Sequence, residues 1–542
     1  MSTSYETKTI EHLGLVAGMY DELGVGELID QLIPQDFEQR QVTIGQAVKA
    51  MVLNGLGFAN RRLYLTPHFF ANKPTEHLLG EGVTPEVLND DTLGKALDAL
   101  YDYGVSELYS LIAARAVTRL KLKPKVGHQD ITSFHVDGEY NSDDPPNPDE
   151  GIVHITRGYS RDGKPELNQV ALELIHEHKA SLPVAMQVLD GNQNDNKTMS
   201  NSVSTHIEQL RQVGIHVLVK DGAGYSEGAL KAHEEAGLTW VMRVPATLAE
   251  AKALLETTDP KNLRPLTEGY RYKSVTSTYA GVPQRWLVIH SQAAQARTKK
   301  SVSKQLLKTT EQERKAFEKL CRKAFACEQD AKAALEAFQH ELKVLTVHDA
   351  GVVETPYYGK RGRPSQDSLP TKVSYHLQGT LAAPLHHYQE QLARASLFIL
   401  ASNELDLEAL ADEDILRGYK AQSKVERGFR FLKDPMFLAS TLFLKKVQRV
   451  MALLMVMTVC LLVYAALEHR IRTTLKARQA SLPDQKGKAT QHPTARWVFE
   501  LFLDVHLLLI VQDSTQTLTM NLKEELKTLL ELLGSTYREA YP

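Results

Sequence analysis

The chain has 542 residues, of which 43% are hydrophobic and 24% are charged, and its formal net charge is −3. This composition is typical of a globular protein and excludes a disordered or strongly basic polypeptide, so any surface that binds nucleic acid must be local. The length predicts two to four structural units. The three cysteines are too few for a disulfide framework, which favours a reducing compartment, the cytoplasm.

Residues 1–125 are predicted to form a helical accessory or DNA-binding domain. Apolar residues recur at helical spacing, and short segments with Gly or Pro separate the helices. Asp91 or Thr92 is a plausible N-cap of one of them. This part of the chain contains no cluster of residues that suggests catalysis.

From residue 126 the pattern changes to short β-type runs, which predict a mixed α/β sheet over 126–245. Asp130 lies within the run KVGHQDITSFHV, and Asp221 ends the apolar run IHVLVKD before a Gly-rich turn. Ligands of such sheets gather at the carboxyl ends of strands. Asp137 is a rival to Asp130, and Asp221 has an alternative role as the N-cap of the next helix.

Residues 246–394 interrupt this pattern and predict an inserted α+β subdomain. Between Arg297 and Lys323 lie ten basic residues and three acidic ones. Such a run is either the solvated face of a helix or a surface that binds phosphates.

The segment from Tyr419 to Lys433 carries the strongest local pattern. At about 100° per residue, five of its side chains fall within a sector of roughly 80° on a helix. These are Tyr419, Gln422, Glu426, Arg430 and Lys433. Val425, Phe429 and Leu432 form an apolar stripe beside them, and Asp434-Pro435 ends the helix. A carboxylate among cations is either an ion-paired surface residue or a metal ligand placed near a phosphate backbone.

Residues 450–467 are apolar except for Thr458 and reach the length of a membrane span. Basic residues flank both ends, so no orientation signal is present. We expect a buried core helix and no membrane association. This helix belongs to the second part of the α/β domain, at 395–480. Residues 481–542 are predicted to form a C-terminal module.

The spacing of Tyr419, Glu426 and Lys433 resembles the Tyr-Arg-Glu-Lys signature of a large group of bacterial insertion-sequence transposases. Gln422 stands where that family usually has Arg, and Lys424, Arg427 or Arg430 is placed to substitute for it. The segments HQDITSFHVDG and VKDGAGYSEGAL resemble the first and second acidic motifs of the same family.

The resemblance implies an α/β, ribonuclease H-like catalytic core formed by 126–245 and 395–480, with a large insertion before the catalytic Glu and a helical N-terminal domain. Asp130, Asp221 and Glu426 would be the catalytic residues and would bind two Mg²⁺ or Mn²⁺ ions. The implied function is cut-and-paste DNA transposition of a mobile element through a hairpin intermediate. The implied partner is double-stranded DNA, both the terminal inverted repeats of the element and the target DNA, and the enzyme would act on it as a homodimer. The expected location is the cytoplasm, in association with the nucleoid. The alternatives are a metal-dependent nuclease and a domesticated DNA-binding protein that does not join DNA.

Several residues are predicted to contact DNA. Lys360-Arg-Gly-Arg-Pro364 looks like the core of an AT-hook, which lies in narrow minor grooves, although a basic surface loop is the simpler alternative. Trp286 is a candidate for stacking on an extruded base, or else a core residue. The predicted DNA-binding set is Tyr419, Gln422, Arg427, Arg430, Lys433, Arg361, Arg363 and Trp286.

Overall fold

The computed structural model describes residues 4–34, 41–58, 63–136, 140, 151–160, 163–193, 206–359, 369–434, 444–511 and 515–542. Within these ranges, the structure describes the backbone but not the side chains of residues 385–387, 390–391, 423–426 and 515. The bounds and contacts given below concern the described residues.

The helices are α1 (Leu13–Leu23), α2 (Val25–Leu32), α3 (Ile44–Leu56), α4 (Thr66–Phe70), α5 (Thr75–Leu79), α6 (Asp90–Tyr103), α7 (Val105–Arg119), α8 (Glu227–Glu235), α9 (Ala249–Thr257), α10 (Gln292–Cys321), α11 (Glu328–Glu341), α12 (Leu385–Arg394), α13 (Asp412–Ala421), α14 (Ser423–Leu432), α15 (Val447–Ala477), α16 (Ala495–Leu501), α17 (Glu524–Leu533) and α18 (Ser535–Glu539).

The strands are β1 (Ser4–Thr9), β2 (Val126–His135), β3 (Gln169–Glu177), β4 (Pro183–Leu189), β5 (Val217–Lys220), β6 (Thr239–Val244), β7 (Arg264–Thr267), β8 (Tyr270–Ser277), β9 (Gln284–Ser291), β10 (Thr346–Tyr357), β11 (Lys372–Ala382), β12 (Leu397–Ser402), β13 (Leu482–Pro483), β14 (Ala489–Thr490), β15 (His506–Val511) and β16 (Thr515–Met520).

The chain forms two compact units, which differ from the four predicted segments. Unit 1 comprises residues 1–243, 277–284 and 402–542, and unit 2 comprises 244–276 and 285–401. The first 125 residues and the last 62 therefore do not stand apart from the predicted catalytic segments. They belong to the same unit.

Helix α15 explains why unit 1 includes both ends of the chain. Its apolar window has a mean hydropathy of 2.6 and is 94% buried within the protein, as expected for a core helix. Because its apolar residues point in all directions, the helix needs cover on every side. Helices α1, α3, α6 and α7 contact it from the N-terminal part of the chain, and α16 and α17 contact it from the C-terminal part. Strand β1 pairs with β15, which joins the two ends directly.

The sheet of unit 1 contains five strands in the order β4-β3-β2-β5-β6. Strands β4, β3 and β2 are antiparallel neighbours, whereas β5 is parallel to β2 and β6 is parallel to β5. In β2, even-numbered and odd-numbered residues point to opposite faces of the sheet. Phe134 belongs to the same core cluster as α15, while Ile131 lies in a separate small cluster with Ala171 and Leu189. The even-numbered face is therefore the one that α15 covers.

Unit 2 contains strands in the order β12-β9-β8-β7, a long antiparallel hairpin of β10 and β11, and helices α9 to α12. All eight residues of β9 are buried. Phe325, Ala331 and Leu377 form a second, smaller core between α11 and the hairpin.

Gly45 marks the closest approach of two helices, α2 and α3. A Cβ atom at Gly45 would lie 2.5 Å from the backbone oxygen of Gly26 and 2.8 Å from its Cα. Backbone atoms cannot rotate away, so we expect Gly45→Ala to lower the free energy of unfolding by about 1–3 kcal/mol. Chemical denaturation measures this. Gly228→Ala in α8 is the matched control, because no heavy atom lies within 4 Å of its added methyl group. It should raise stability by about 0.5–1 kcal/mol, and equal effects of the two changes would contradict the packing argument.

Candidate functional site

Asp130 lies on β2, and Asp221 directly follows β5, the parallel neighbour of β2. Val126 pairs with Val217, and His128 pairs with Val219, the last pair of the two strands. If this register is continued by two residues, Asp130 comes next to Asp221. Adjacent strands are about 4.8 Å apart, so the two carboxylates can reach one ligand. The two aspartates are 91 residues apart in the chain, so their spacing in the sequence does not show this proximity.

Each carboxylate also accepts a hydrogen bond from the next backbone N–H. Asp130 Oδ1 lies 2.8 Å from Ile131 N, and Asp221 Oδ1 lies 2.7 Å from Gly222 N. Asp221 is exposed and caps the short 3₁₀ turn Gly222–Gly224. Helix α8 begins later and has Ser226 at its N-cap position, so Asp221 does not cap that helix. Capping of the turn uses one carboxylate oxygen and is compatible with a second role.

The segment that carries Glu426 covers the same sheet face as Asp130. Helix α14 contacts β2, and helix α13 contacts β5. The side chains of Phe429 and Leu432 are buried in the core that contains Phe134. The Lys433 ammonium lies 5.9 Å from the centroid of the Phe134 ring. The backbone of Glu426 therefore lies on a helix packed over the strand that carries Asp130, whereas its side chain is outside the description.

One helix was predicted from Tyr419 to Lys433, and the structure has two, α13 and α14. Gln422 separates them but keeps helical torsion angles, with φ −56° and ψ −30°. Its N–H donates to Tyr419 O at 3.2 Å, a tighter turn than in an α-helix. The interruption is therefore one residue long, and the helix ends at Leu432, directly before Lys433 and Asp434.

The predicted DNA-binding residues differ in their exposure to solvent. Arg427 and Arg430 are exposed on α14, and Tyr419, Gln422 and Lys433 are partly exposed. Arg427 also borders a cleft of about 300 Å³ together with Lys179 and Arg472. Arg361 and Arg363 lie outside the described residues, as does Asp137, the rival of Asp130.

The expectation for Trp286 needs correction. Its side chain is fully buried in β9, where every residue is buried. Its ring packs as part of the core of unit 2, so in this conformation it offers no face for stacking on a base. A large aromatic residue in a fully buried strand is stabilised by the area that it removes from water, and exposing it would forfeit that stabilisation.

A buried polar cluster lies on the opposite face of the sheet, directly behind the two aspartates. It consists of Gln129, Glu173, His206, Lys220 and His233, all at 0% exposure. Gln129 and Lys220 precede Asp130 and Asp221 and therefore point to the other face. The Gln129 side-chain amide donates to the Glu173 carboxylate, and His206 Nε2 lies 3.9 Å from Glu173 Oε2. The cluster was not predicted from the sequence, although a charged residue within an apolar strand pattern is a signal that could have indicated it.

Burial changes the protonation of this cluster. Loss of hydration lowers the pKa of Lys220 to about 7, while the charge of Glu173 acts in the opposite direction. Burial, with help from the charge of Lys220, also lowers the pKa of His233 to about 3. The cluster therefore sets a cation and an anion in a dry environment beneath the candidate catalytic carboxylates.

Three buried histidines should make stability depend on pH. Burial is the main cause that lowers the pKa of His12 to about 4 and the pKa values of His176 and His233 to about 3. In the unfolded chain these rings take up protons near pH 6.5, so the unfolded state binds more protons below that pH. Their stabilising contribution is fully present above pH 6.5 and is lost as the pH falls toward 3–4.

Urea unfolding between pH 5 and pH 7.5 tests this expectation. Each histidine should contribute a decrease of about 1.4 kcal/mol per pH unit below pH 6.5. His176→Leu removes one titrating ring, so its curve should fall less steeply by about that amount and run parallel to the wild-type curve above pH 7. Parallel curves over the whole range would contradict the assignment for His176.

Comparison with known proteins bears on the whole site. Residues 130–463 match the family model described as a transposase DDE domain, and this range includes Asp130, Asp221 and Glu426. The chain belongs to the DDE transposase family. Residues 5–114 match a separate domain of unknown function, DUF4277. No curated protein matches the chain.

The chain is similar to a solved structure, the cryo-EM structure of a piggyBac transposase synaptic complex with hairpin DNA. The two sequences are 9% identical, and the TM-score of the two structures is 0.33. The alignment covers 96% of this chain and 72% of that one.

Family membership makes this chain a transposase, an enzyme that acts on DNA. DDE transposases generally use divalent metal ions. Among the described side chains, which do not include that of Glu426, no group of three or more His, Cys, Asp and Glu residues is placed to hold a metal ion. Asp130 and Asp221 are two oxygen donors of the kind that Mg²⁺ and Mn²⁺ prefer, so the residues present suit such an ion.

Proposed function

We propose that this transposase catalyses metal-dependent cleavage and strand transfer of insertion-sequence DNA, with Asp130, Asp221 and Glu426 as its catalytic carboxylates. The observation that carries the proposal is the register of β2 and β5, which, continued by two residues, brings Asp130 next to Asp221 on the sheet face covered by α14. The mixed sheet, with three antiparallel strands followed by two parallel ones, supports a ribonuclease H-like core. The spacing of Tyr419, Glu426 and Lys433 supports the bacterial Tyr-Arg-Glu-Lys subgroup.

The three carboxylates would hold two Mg²⁺ or Mn²⁺ ions. Bound there, divalent ions would supply Lewis-acid stabilisation of the negative charge that develops on the phosphate during an in-line displacement. The hydrogen bonds from Ile131 N and Gly222 N hold one oxygen of each aspartate in place.

Cations next to the site would hold the DNA backbone. Arg427 and Arg430 are exposed on the helix that carries Glu426, and Lys433 follows at its end. Phosphate contacts of this kind fix the position of DNA without reading its sequence. Tyr419 and Gln422 lie on the preceding turn, and because Gln422 lacks the charge of an arginine, we assign the phosphate contact to Arg427 or Arg430 instead.

We further propose that the enzyme works as a homodimer on double-stranded DNA, where it binds terminal inverted repeats and target DNA. The proposed location is the cytoplasm, in association with the nucleoid. A dimer that binds two ends would need each protomer to supply its own three carboxylates.

The test is an assay with pre-cleaved element ends and a supercoiled target plasmid. The ends are taken from the DNA that flanks the gene, and the expected products in Mg²⁺ or Mn²⁺ are plasmids joined to one or two ends. Chelation of the metal should abolish them. Cleavage of ends without any joining would replace this proposal by a nuclease, and neither reaction at any divalent ion concentration would favour a DNA-binding protein without catalysis.

A further inference from the structure

Helix α10 of unit 2 carries a basic face that the proposed catalytic site does not use. At about 100° per residue, Arg297, Lys300, Lys304 and Lys308 fall within a sector of about 80° on this helix. All four side chains are exposed. No acidic residue occurs from 292 to 310. We call these four residues the α10 basic face.

The other side of α10 is the one that packs. Phe317 is buried and stacks on Phe338 of α11 with ring centroids 5.5 Å apart. The carboxylate of Glu313 accepts hydrogen bonds from the backbone N–H groups of residues 343 to 345 at 2.8 to 3.2 Å. Phe317 and Glu313 point about 140° to 180° away from the middle of the basic face. These contacts anchor the second half of the helix, and in the first half the four cations of the basic face are exposed to solvent.

The second half of α10 shows what a solvated ion-paired face looks like. Arg314 pairs with Glu311 at 3.0 Å and with Glu318, and Lys315 pairs with Glu311 at 3.3 Å. Among the described residues, the four cations of the basic face make no such pairs. Lys300, Lys304 and Lys308 instead follow each other at i, i+4 spacing, where like charges destabilise a helix. A bound polyanion would remove this repulsion.

We propose that the α10 basic face binds the phosphate backbone of duplex DNA without reading its sequence. The inference rests on the proposed function, which makes DNA the substrate. The face extends over the 12 residues from Arg297 to Lys308, whose first and last Cα atoms are about 16 Å apart along the helix axis. A DNA strand presents one phosphate per about 3.4 Å along its axis, so a row of four cations matches a short stretch of backbone.

The salt dependence of DNA binding tests this surface in the full-length protein. Fluorescence anisotropy with a labelled duplex, without divalent ions, gives the slope of log K against log salt concentration. Each lost phosphate contact reduces that slope by about 0.9, so the triple variant Lys300→Gln, Lys304→Gln, Lys308→Gln should reduce it by about 2 to 3. The loss should be equal for duplexes of different sequence. Replacing the same lysines by arginine should keep the slope.

A matched triple variant controls for net charge. Lys95, Lys231 and Lys527 are exposed on helices of unit 1, and each pairs with an acid at i, i+3 or i, i+4 spacing. Their replacement by glutamine should leave the slope unchanged. Circular dichroism melting of both variants should match the wild type, because exposed Lys and Gln have similar helix propensities.

Three outcomes would overturn the inference. An unchanged slope in the Lys300, Lys304 and Lys308 variant would overturn it alone and leave the proposed function standing. A wild-type chain that binds no duplex would overturn the proposed function together with it. Binding to vesicles of anionic phospholipid, lost in the variant while DNA binding is kept, would assign the face to a membrane surface instead.

Discussion

Asp221→Asn is expected to lower the rate of strand transfer by about 10³-fold or more. The change removes the charge of one of two adjacent carboxylates, and the metal-supplied stabilisation that depends on it amounts to several kcal/mol of transition-state energy. DNA binding without divalent ions should be unchanged, because the proposed contacts to phosphates come from cations elsewhere. The measurements are single-turnover joining of pre-cleaved ends and anisotropy with a labelled duplex.

Asp259→Asn controls for the capping role of Asp221. Asp259 is also exposed and also caps a 3₁₀ turn, where it accepts a hydrogen bond from Lys261 N at 2.9 Å. If Asp221 served only as a cap, the two substitutions would have similar, small effects. Joining at the wild-type rate in the Asp221→Asn variant would contradict the assignment of Asp221 as a catalytic residue.

The second large effect concerns the buried polar cluster behind the site. At pH 6 the amine of Lys220 is protonated, because its pKa is about 7. Glu173→Met removes the charge that raises the pKa of the amine, so the amine should lose its proton and remain buried without its partner, and Lys220→Met leaves the carboxylate without the amine. Each should lower the free energy of unfolding by about 1–3 kcal/mol. The double variant, which buries two apolar side chains of similar volume, should lose far less than the sum.

A double-mutant cycle in urea at pH 6 measures this coupling. The exposed pair of Glu227 and Lys231, 2.6 Å apart, provides the comparison cycle. Its coupling energy should be far smaller, because solvent screens the charges of an exposed pair on a helix. Additive losses in the Glu173 and Lys220 cycle would show that the two charges do not depend on each other.

Local patterns allowed much of the site to be predicted. Asp221 ends an apolar run before a Gly-rich turn, and this is where a strand edge in a mixed sheet carries ligands. The apolar stripe of Phe429 and Leu432 predicted that the Glu426 helix docks on a core, and both side chains are buried. The apolar run at 450–467 predicted a core helix, and the burial of α15 confirms it. These features depend on residues close together in the chain.

Other features depend on partners far away in the chain. The sequence left Trp286 open between stacking on a base and a core position, and its burial in β9 depends on elements that cover this strand. Glu173 and Lys220 were not noticed because each looks like an isolated charge until β3 and β5 are placed in one sheet. The separate N-terminal and C-terminal domains were predicted from changes in pattern, yet both ends of the chain pack on α15.

The amino-acid sequence by itself determined the residue types of the site, the order of its three acids along the chain and the periodicity of the helix around Glu426. Hydrophobic periodicity and short motifs act over a few residues, so they can be read from a single sequence. Only the tertiary structure decided that the strand of Asp130 is the parallel neighbour of the strand that Asp221 follows, that a buried charge cluster lies behind them and that both ends of the chain cover α15. Strand register and burial arise from contacts between distant segments, which no local pattern specifies.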